Sequence, residues 1–261
     1  MLWEKIESRL DSSYEGWRGR VDGFGQTNAV KRRLAGQEWS DAETFEAILL
    51  AVLSSDRDWS KIEGILPDLR EVFSEFSLRC YAKLSEHDIG RINSWFVERR
   101  AGSRNLKRDL FNLVHTARRL MEYSRVHGSA ETYFVSLVRQ NHNDPKLAAL
   151  RLGTPGVYKL PALGVPLAAE TLKNLGFDLA KPDRHLKRSV ASFGLFGFGS
   201  LGKDNHRGPP EDVSDLDAME AVQRIAEAAD VPVVLVDNAI WLLCAKSGLY
   251  LTDPQLAELA G

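Results

Sequence analysis

The chain has 261 residues, 44% of them hydrophobic and 27% charged, the composition of a water-soluble protein with room for a full core as one domain or two lobes. Its 34 basic and 36 acidic residues leave a net charge of −2, so any nucleic-acid surface has to be a local basic patch balanced by acids elsewhere. Two cysteines, Cys80 and Cys244, exclude a disulfide framework and a four-cysteine iron–sulfur cluster.

The opening Met1-Leu2-Trp3-Glu4-Lys5 lacks the apolar run of a signal peptide, and no stretch has the uninterrupted apolar length of a membrane span. A cytoplasmic protein with no membrane partner is the expectation. Leu2, Ile6 and Leu10 predict a short amphipathic helix over 2–11, and Gly16 to Gly25 reads as loop. Lys31-Arg32-Arg33 is either a solvated helix face or a phosphate contact. Ser40-Asp41-Ala42-Glu43 is a capping box opening a helix through Phe45, Ile48, Leu49, Val52 and Leu53. A helical stretch begins at Trp59, breaks near Pro67 and resumes to about Leu78. Ser85 to Arg100 predicts a helix with Ile89, Ile92, Trp95 and Phe96 on its apolar side.

The strongest basic run follows: Arg99, Arg100, Arg104, Lys107, Arg108, Arg118 and Arg119. Ser103 is placed to cap the helix that carries most of it, and the charge serves either solubility or phosphate contact. Two more helices, Ser129–Gln140 and Pro145–Leu152, precede the stretch around which the chain is organised.

That stretch is Leu160 to Arg188. Leu160-Pro161-Ala162-Leu163-Gly164 forms a tight turn, and Val165 to Leu175 forms a helix with Pro166 in the first turn, where a proline is tolerated. Gly176 stops it, and Lys181-Pro182 leads into Asp183, with His185 and Arg188 beyond. This pattern resembles the helix-hairpin-helix signature of the base-excision DNA glycosylase superfamily: a Leu-Pro-Gly-hydrophobic-Gly hairpin, Ala four residues after the last glycine, then Asp, His two residues on and Arg five on. Leu160, Pro161, Leu163, Gly164 and Ala168 fit the hairpin, and Asp183, His185 and Arg188 fit the rest. Ala162 departs from the first glycine.

The resemblance implies that Leu163, Gly164, Val165, Arg184, His185 and Arg188 bind the DNA backbone, and that the hairpin carbonyls hold a monovalent cation between protein and phosphate. A glycine turn at a helix N-terminus suits this, because it presents unpaired N–H groups and a positive dipole end. The resemblance makes Asp183 the catalytic carboxylate, stabilising the positive charge that develops on the sugar or positioning water. The other reading of Asp183 is a helix N-cap after Pro182, and the two roles are compatible. Bifunctional glycosylase/lyases of the superfamily carry a Schiff-base lysine two residues after the last hairpin glycine. Pro166 stands there, so hydrolysis without lyase chemistry is expected. Lys173 lies about two turns along the helix.

Beyond Arg188, Ser192 to Asp212 is rich in glycine and proline, with Phe193, Phe196 and Phe198 interleaved, and reads as a long loop capable of stacking on bases. Ser214 caps a helix running to Asp230. Val231 to Val236 reads as an extended segment, with a helix beginning at an Asp237 N-cap. Asp237 and Trp241 lie on one side of that helix. Helix, Pro, apolar run and Asp-x-x-x-Trp-Leu are similar to the C-terminal region of the archaeal 8-oxoguanine DNA glycosylase family, which implies that Asp237 and Trp241 bind a flipped purine. The bland alternative is a cap and a core tryptophan. Looser matches add Trp59 and Gln26 to the implied base pocket.

The sequence therefore predicts an all-α, two-lobed helix-hairpin-helix DNA glycosylase fold: a central lobe over 30–176, and a second over 1–29 and 177–261 that carries Asp183. The implied function is hydrolytic removal of an oxidised or alkylated purine, such as 8-oxoguanine, from double-stranded DNA by a monomer. No side-chain metal ligands and no iron–sulfur cofactor are expected, since the six histidines lack metal-ligand spacing. Two alternatives stay open: a non-catalytic DNA-binding hairpin protein, and a glycosylase/lyase with a relocated lysine.

Overall fold

The computed structural model describes residues 1–55, 59–195 and 213–261. Of the loop expected over 192–212, Ser192 ends a helix and Phe193 is buried in the core, while residues 196–212, with Phe196 and Phe198, lie outside the described residues. Within them every regular element is a helix, so the all-α expectation holds. The chain divides into two compact units, Gly36–Leu175 and Met1–Ala35 together with Gly176–Gly261. The expected lobe boundary at residue 30 falls inside a continuous helix, Gln26–Leu34, whose Val30 is buried.

The discontinuous unit begins with α1 (Leu2–Ser13), α2 (Trp17–Asp22) and α3 (Gln26–Leu34). The glycine-rich passage expected as loop contains α2. Gly16 and Gly25, at φ +73° and +77°, are the turns that start α2 and α3, a left-handed geometry that glycine adopts without penalty. Trp17 and Val21 turn inward and supply the burial that holds so short a helix. The Lys31-Arg32-Arg33 cluster occupies the last turn of α3, where cations complement the helix dipole. Arg33 also lies over the Phe177 ring at 4.0 Å.

The continuous unit holds α4 (Asp41–Leu53), α5 (Trp59–Glu63), α6 (Leu66–Val72), α7 (Leu78–Tyr81), α8 (Glu86–Glu98), α9 (Leu106–His127), α10 (Glu131–Gln140), α11 (Pro145–Gly153) and α12 (Val165–Asn174). The capping box expected from the sequence at Ser40–Glu43 forms. Ser40 N–H donates to Glu43 Oε2 at 2.8 Å, and Glu43 N–H returns to Ser40 Oγ at 3.2 Å. The break expected near Pro67 forms: α5 ends at Glu63, and Pro67 sits in the first turn of α6, where its missing N–H costs nothing. Ser103 is not the cap of α9. Asn105 holds that position without a side-chain cap.

Here the core is built on α4, whose Phe45, Ile48, Leu49, Val52 and Leu53 are fully buried, and α12 packs against α4 and α11. Ala168, Ala169 and Leu172 form the buried face of α12, while Leu167 stays half-exposed. The end of α11 meets the start of α12 through Gly153. A Cβ there would stand 2.3 Å from the Val165 backbone, so only glycine permits the approach that seats the hairpin.

The rest of the discontinuous unit is α13 (Arg184–Ser192), α14 (Asp215–Ala229), α15 (Val233–Cys244) and α16 (Asp253–Ala260). The valine run is not extended. α15 begins at Val233, so Asp237 is an interior helical residue and not its N-cap. The cap is delivered by Asp178, whose two carboxylate oxygens accept from Val233 N–H (3.1 Å) and Val234 N–H (2.9 Å). With almost every side buried, α15 is the central helix of this unit, packed by α1, α2, α13 and α14. A helix that is apolar all round is stable only as such an interior element.

Candidate nucleic-acid interface and active site

In the turn before α12, Ala162 takes φ +72°, a left-handed conformation that glycine would hold without strain. An L-residue there costs about 1–2 kcal/mol, against about 0.5–1 kcal/mol for the extra chain entropy of glycine. Ala162→Gly is therefore expected to raise stability by up to about 1 kcal/mol and Tm by about 1–4 °C, read by thermal melting. An unchanged or lower Tm would show that the turn is not strained. Gly164 is exposed and N-caps α12 in extended geometry, with Leu163 and Val165 buried on either side. Pro166 occupies the first turn as expected, so the Val165 and Leu167 backbone N–H groups are the donors there.

Asp183 is the N-cap of α13. Its Oδ1 accepts from His185 N–H at 2.8 Å and Leu186 N–H at 3.1 Å, and its Oδ2 accepts no hydrogen bond from the described residues. One carboxylate thus satisfies a helix terminus with one oxygen and keeps the other available. Arg184 is exposed beside it. Arg188, expected at the DNA backbone, is instead 6% exposed. It donates to Leu251 O at 2.6 Å and ion-pairs with Asp253 at 2.9 Å, tying α13 to the start of α16. Its charge is neutralised internally by the Asp253 carboxylate.

Burial pushes His185 below the usual histidine value. The Asp183 carboxylate opposes this, and Arg184, Arg188 and Lys181 reinforce it. The folded protein then takes up this proton at lower pH than the unfolded chain, whose histidine titrates near 6.5. Unfolded chain binds more protons in that window, so His185 is expected to make stability fall as pH drops below about 6.5 and to contribute nothing above it. Tm measured from pH 7.5 to 5 should decline less steeply in His185→Gln. Equal slopes would refute the assignment. Close by, burial pushes the Cys244 thiol up to about 11, and Cys244 Sγ lies 2.9 Å from Ser189 Oγ between α15 and α13. Such a thiol is a packing group and not a nucleophile.

On α15, Asp237 is 5% exposed and Trp241, one turn on, is half-buried. Trp241 meets Phe24 edge to face, ring centroids 5.6 Å apart. That contact brings the beginning of α3, with Gln26 buried as its first residue, against α15. Gln26, Asp237 and Trp241 therefore gather in one unit with Asp183. Phe24 was missed in the sequence, its only signal being an aromatic between Gly23 and Gly25. Trp59 opens α5, half-buried, in the other unit, which also holds the hairpin residues Leu163, Gly164 and Val165.

Much of the basic run is committed within the protein. Arg118 Nε donates to Ala82 O at 2.7 Å, Arg119 binds Lys159 O at 2.9 Å, Lys107 pairs with Glu86 at 3.4 Å and Arg99 covers Trp95 at 4.1 Å. Arg100 and Arg104 are exposed. Among the lysines, Lys173 is 2% exposed and paired with Glu170 at 3.3 Å, and Lys187 pairs with Asp215 at 2.7 Å. Lys159 donates to Gly153 O at 2.6 Å and to Leu163 O. No helix among the described residues is long and apolar enough to cross a membrane.

The chain is similar in fold to the 8-oxoguanine glycosylase/lyase of Methanocaldococcus jannaschii, whose crystal structure is in complex with a 15mer DNA containing 8-oxoguanine. The similarity covers 97% of this chain and 100% of that one, with a TM-score of 0.56 and 17% sequence identity. No protein-family pattern matches the chain, and no curated protein matches it.

Proposed function

We propose that the protein is a DNA glycosylase of base excision repair that hydrolyses the N-glycosidic bond of a flipped, damaged purine. The observation that carries this reading is the divided carboxylate of Asp183, capping α13 through Oδ1 while Oδ2 accepts no donor among the described residues. It is supported by the hairpin turn in glycine-like geometry at Ala162 and by the shared fold with a glycosylase/lyase. The open oxygen of Asp183 stabilises the oxocarbenium character of the sugar and accepts a proton from the attacking water. Water adds at C1′, the C1′–N bond breaks with its electron pair passing to the base, and the base nitrogen takes up a proton. The base itself is held by the Trp241 indole and the Asp237 carboxylate, a stacking surface and a purine N–H acceptor one helical turn apart.

Hydrolysis without lyase chemistry is favoured by Pro166 in the first turn of α12 and by the engagement of the Lys159, Lys173 and Lys187 amines. The test is a panel of duplexes carrying 8-oxoguanine, an alkylated purine, uracil or an abasic site, incubated with the protein and then split with and without hot alkali. Strand scission only after alkali, on an oxidised or alkylated purine, is the expected result. Scission without alkali, with a borohydride-trapped adduct, would identify a lyase. Binding without any scission would leave a DNA-binding protein that is not an enzyme.

A further inference from the structure

The loop that forms the hairpin is held through its carbonyl oxygens. Arg119 on α9 donates to Val157 O and to Lys159 O, and the Tyr133 hydroxyl on α10 donates to Tyr158 O at 3.0 Å. Leu163 N–H donates to Leu160 O at 3.2 Å, and Thr116 Oγ1 on α9 donates to Pro161 O at 2.5 Å. The Leu163 carbonyl, next to the exposed cap glycine of α12, accepts from the Lys159 ammonium, which also binds Gly153 O at the end of α11. From 157 to 163, every carbonyl except that of Ala162 is occupied by a protein donor.

Lys159 forms no ion pair with a carboxylate among the described residues. Burial holds its amine below the ordinary lysine value. A half-buried ammonium is stable when carbonyl dipoles surround it, and it keeps an unbalanced positive charge that a nearby anion would neutralise. Of its three donors, two are spent on carbonyls and the third remains for an anionic oxygen. These residues do not suit a metal ion. A monovalent cation on Leu163 O would share that oxygen with a positive charge already bound to it, and like charges so close repel strongly.

We propose that the Lys159 ammonium takes the place of a monovalent cation at the hairpin, so that this chain carries its own charge at the phosphate-binding turn and needs no metal ion there. The proposal rests on the reading of the hairpin as a DNA-phosphate contact. Two neutral features of the loop make the substitution possible. The 157–163 segment returns to α11 closely enough for the lysine to span from Leu163 to Gly153, and Gly153 lacks the Cβ that would push α12 away.

The test compares duplex binding by the wild type, Lys159→Met and Lys159→Arg in potassium, sodium and choline chloride at equal ionic strength. Wild type and Lys159→Arg are expected to bind equally in all three salts. Lys159→Met, which keeps the apolar stem and loses the charge, is expected to bind about tenfold more weakly in choline and to recover in potassium. Tighter wild-type binding in potassium than in choline would overturn the proposal, as would a Lys159→Met variant that binds like the wild type throughout. Thermal melting checks that each variant is folded. Crystals grown with thallium(I) give a readout that needs no DNA: anomalous scattering at the Leu163 carbonyl in the wild type would refute the proposal, and its absence there would support it. If no duplex binds any of the three proteins, the phosphate-contact reading fails, and the thallium(I) result alone decides whether lysine holds the cation position.

Discussion

Asp183→Asn is expected to lower base excision about 10²–10³-fold, the usual loss when one preorganised charge-stabilising group is removed, while Tm stays close to that of the wild type. Asparagine caps a helix about as well as aspartate, so its side-chain oxygen replaces Oδ1 at the His185 and Leu186 N–H groups. What it lacks is the negative charge on the second oxygen. Asp183→Ala removes both and should add a stability loss of about 1 kcal/mol to the loss of activity. The pair separates cap from chemistry: single-turnover excision on the lesion duplex reports the charge, and melting reports the cap. Wild-type turnover by Asp183→Asn would reduce Asp183 to a structural residue.

Arg188→Met should have the opposite profile. The guanidinium is 7% exposed and its partner Asp253 12%, so removing it leaves a carboxylate in the interior with its ion pair gone and the Leu251 carbonyl without this donor. Breaking a buried pair from one side costs about 3–5 kcal/mol, equivalent to a Tm lower by about 6–20 °C for a chain of this size. Adding Asp253→Asn should restore part of the loss, because the buried carboxylate charge that faced the guanidinium is then removed as well. DNA affinity of the folded variant is expected to equal that of the wild type. Weaker DNA binding at unchanged Tm would return Arg188 to the phosphate-binding set and contradict the burial argument.

Arg188 also marks the boundary between what could be read from the chain and what could not. At its place in the motif, five residues after Asp183, an arginine is equally suited to phosphate or to a carboxylate. Its partner, Leu251–Asp253, is more than sixty residues away, and nothing near Arg188 announces it. The valine run is a second case. Val233 to Val236 has the propensity of a strand, but no other strand exists among the described residues to pair with it. A cap supplied by Asp178 and burial on nearly all sides make it helical. That shift moved Asp237 from a cap to the second turn of the helix, while its place four residues before Trp241 on one side was already legible. Lys159 is a third case, since its role depends on where α11 ends, and its spacing from the hairpin gives no hint of it.

What the sequence determined by itself is whatever is closed within a few residues: the Ser40–Glu43 capping box, the proline in the first turn of α12, the stop at Gly176, and the Asp183 cap before α13. Helix termini satisfy their orphan donors locally, so the residue types that do it stand beside them in the chain. The tertiary structure alone decided which charges are spent inside and which remain for a ligand. A buried guanidinium or ammonium must find acceptors wherever packing brings them, and burial and pairing are properties of neighbours in space.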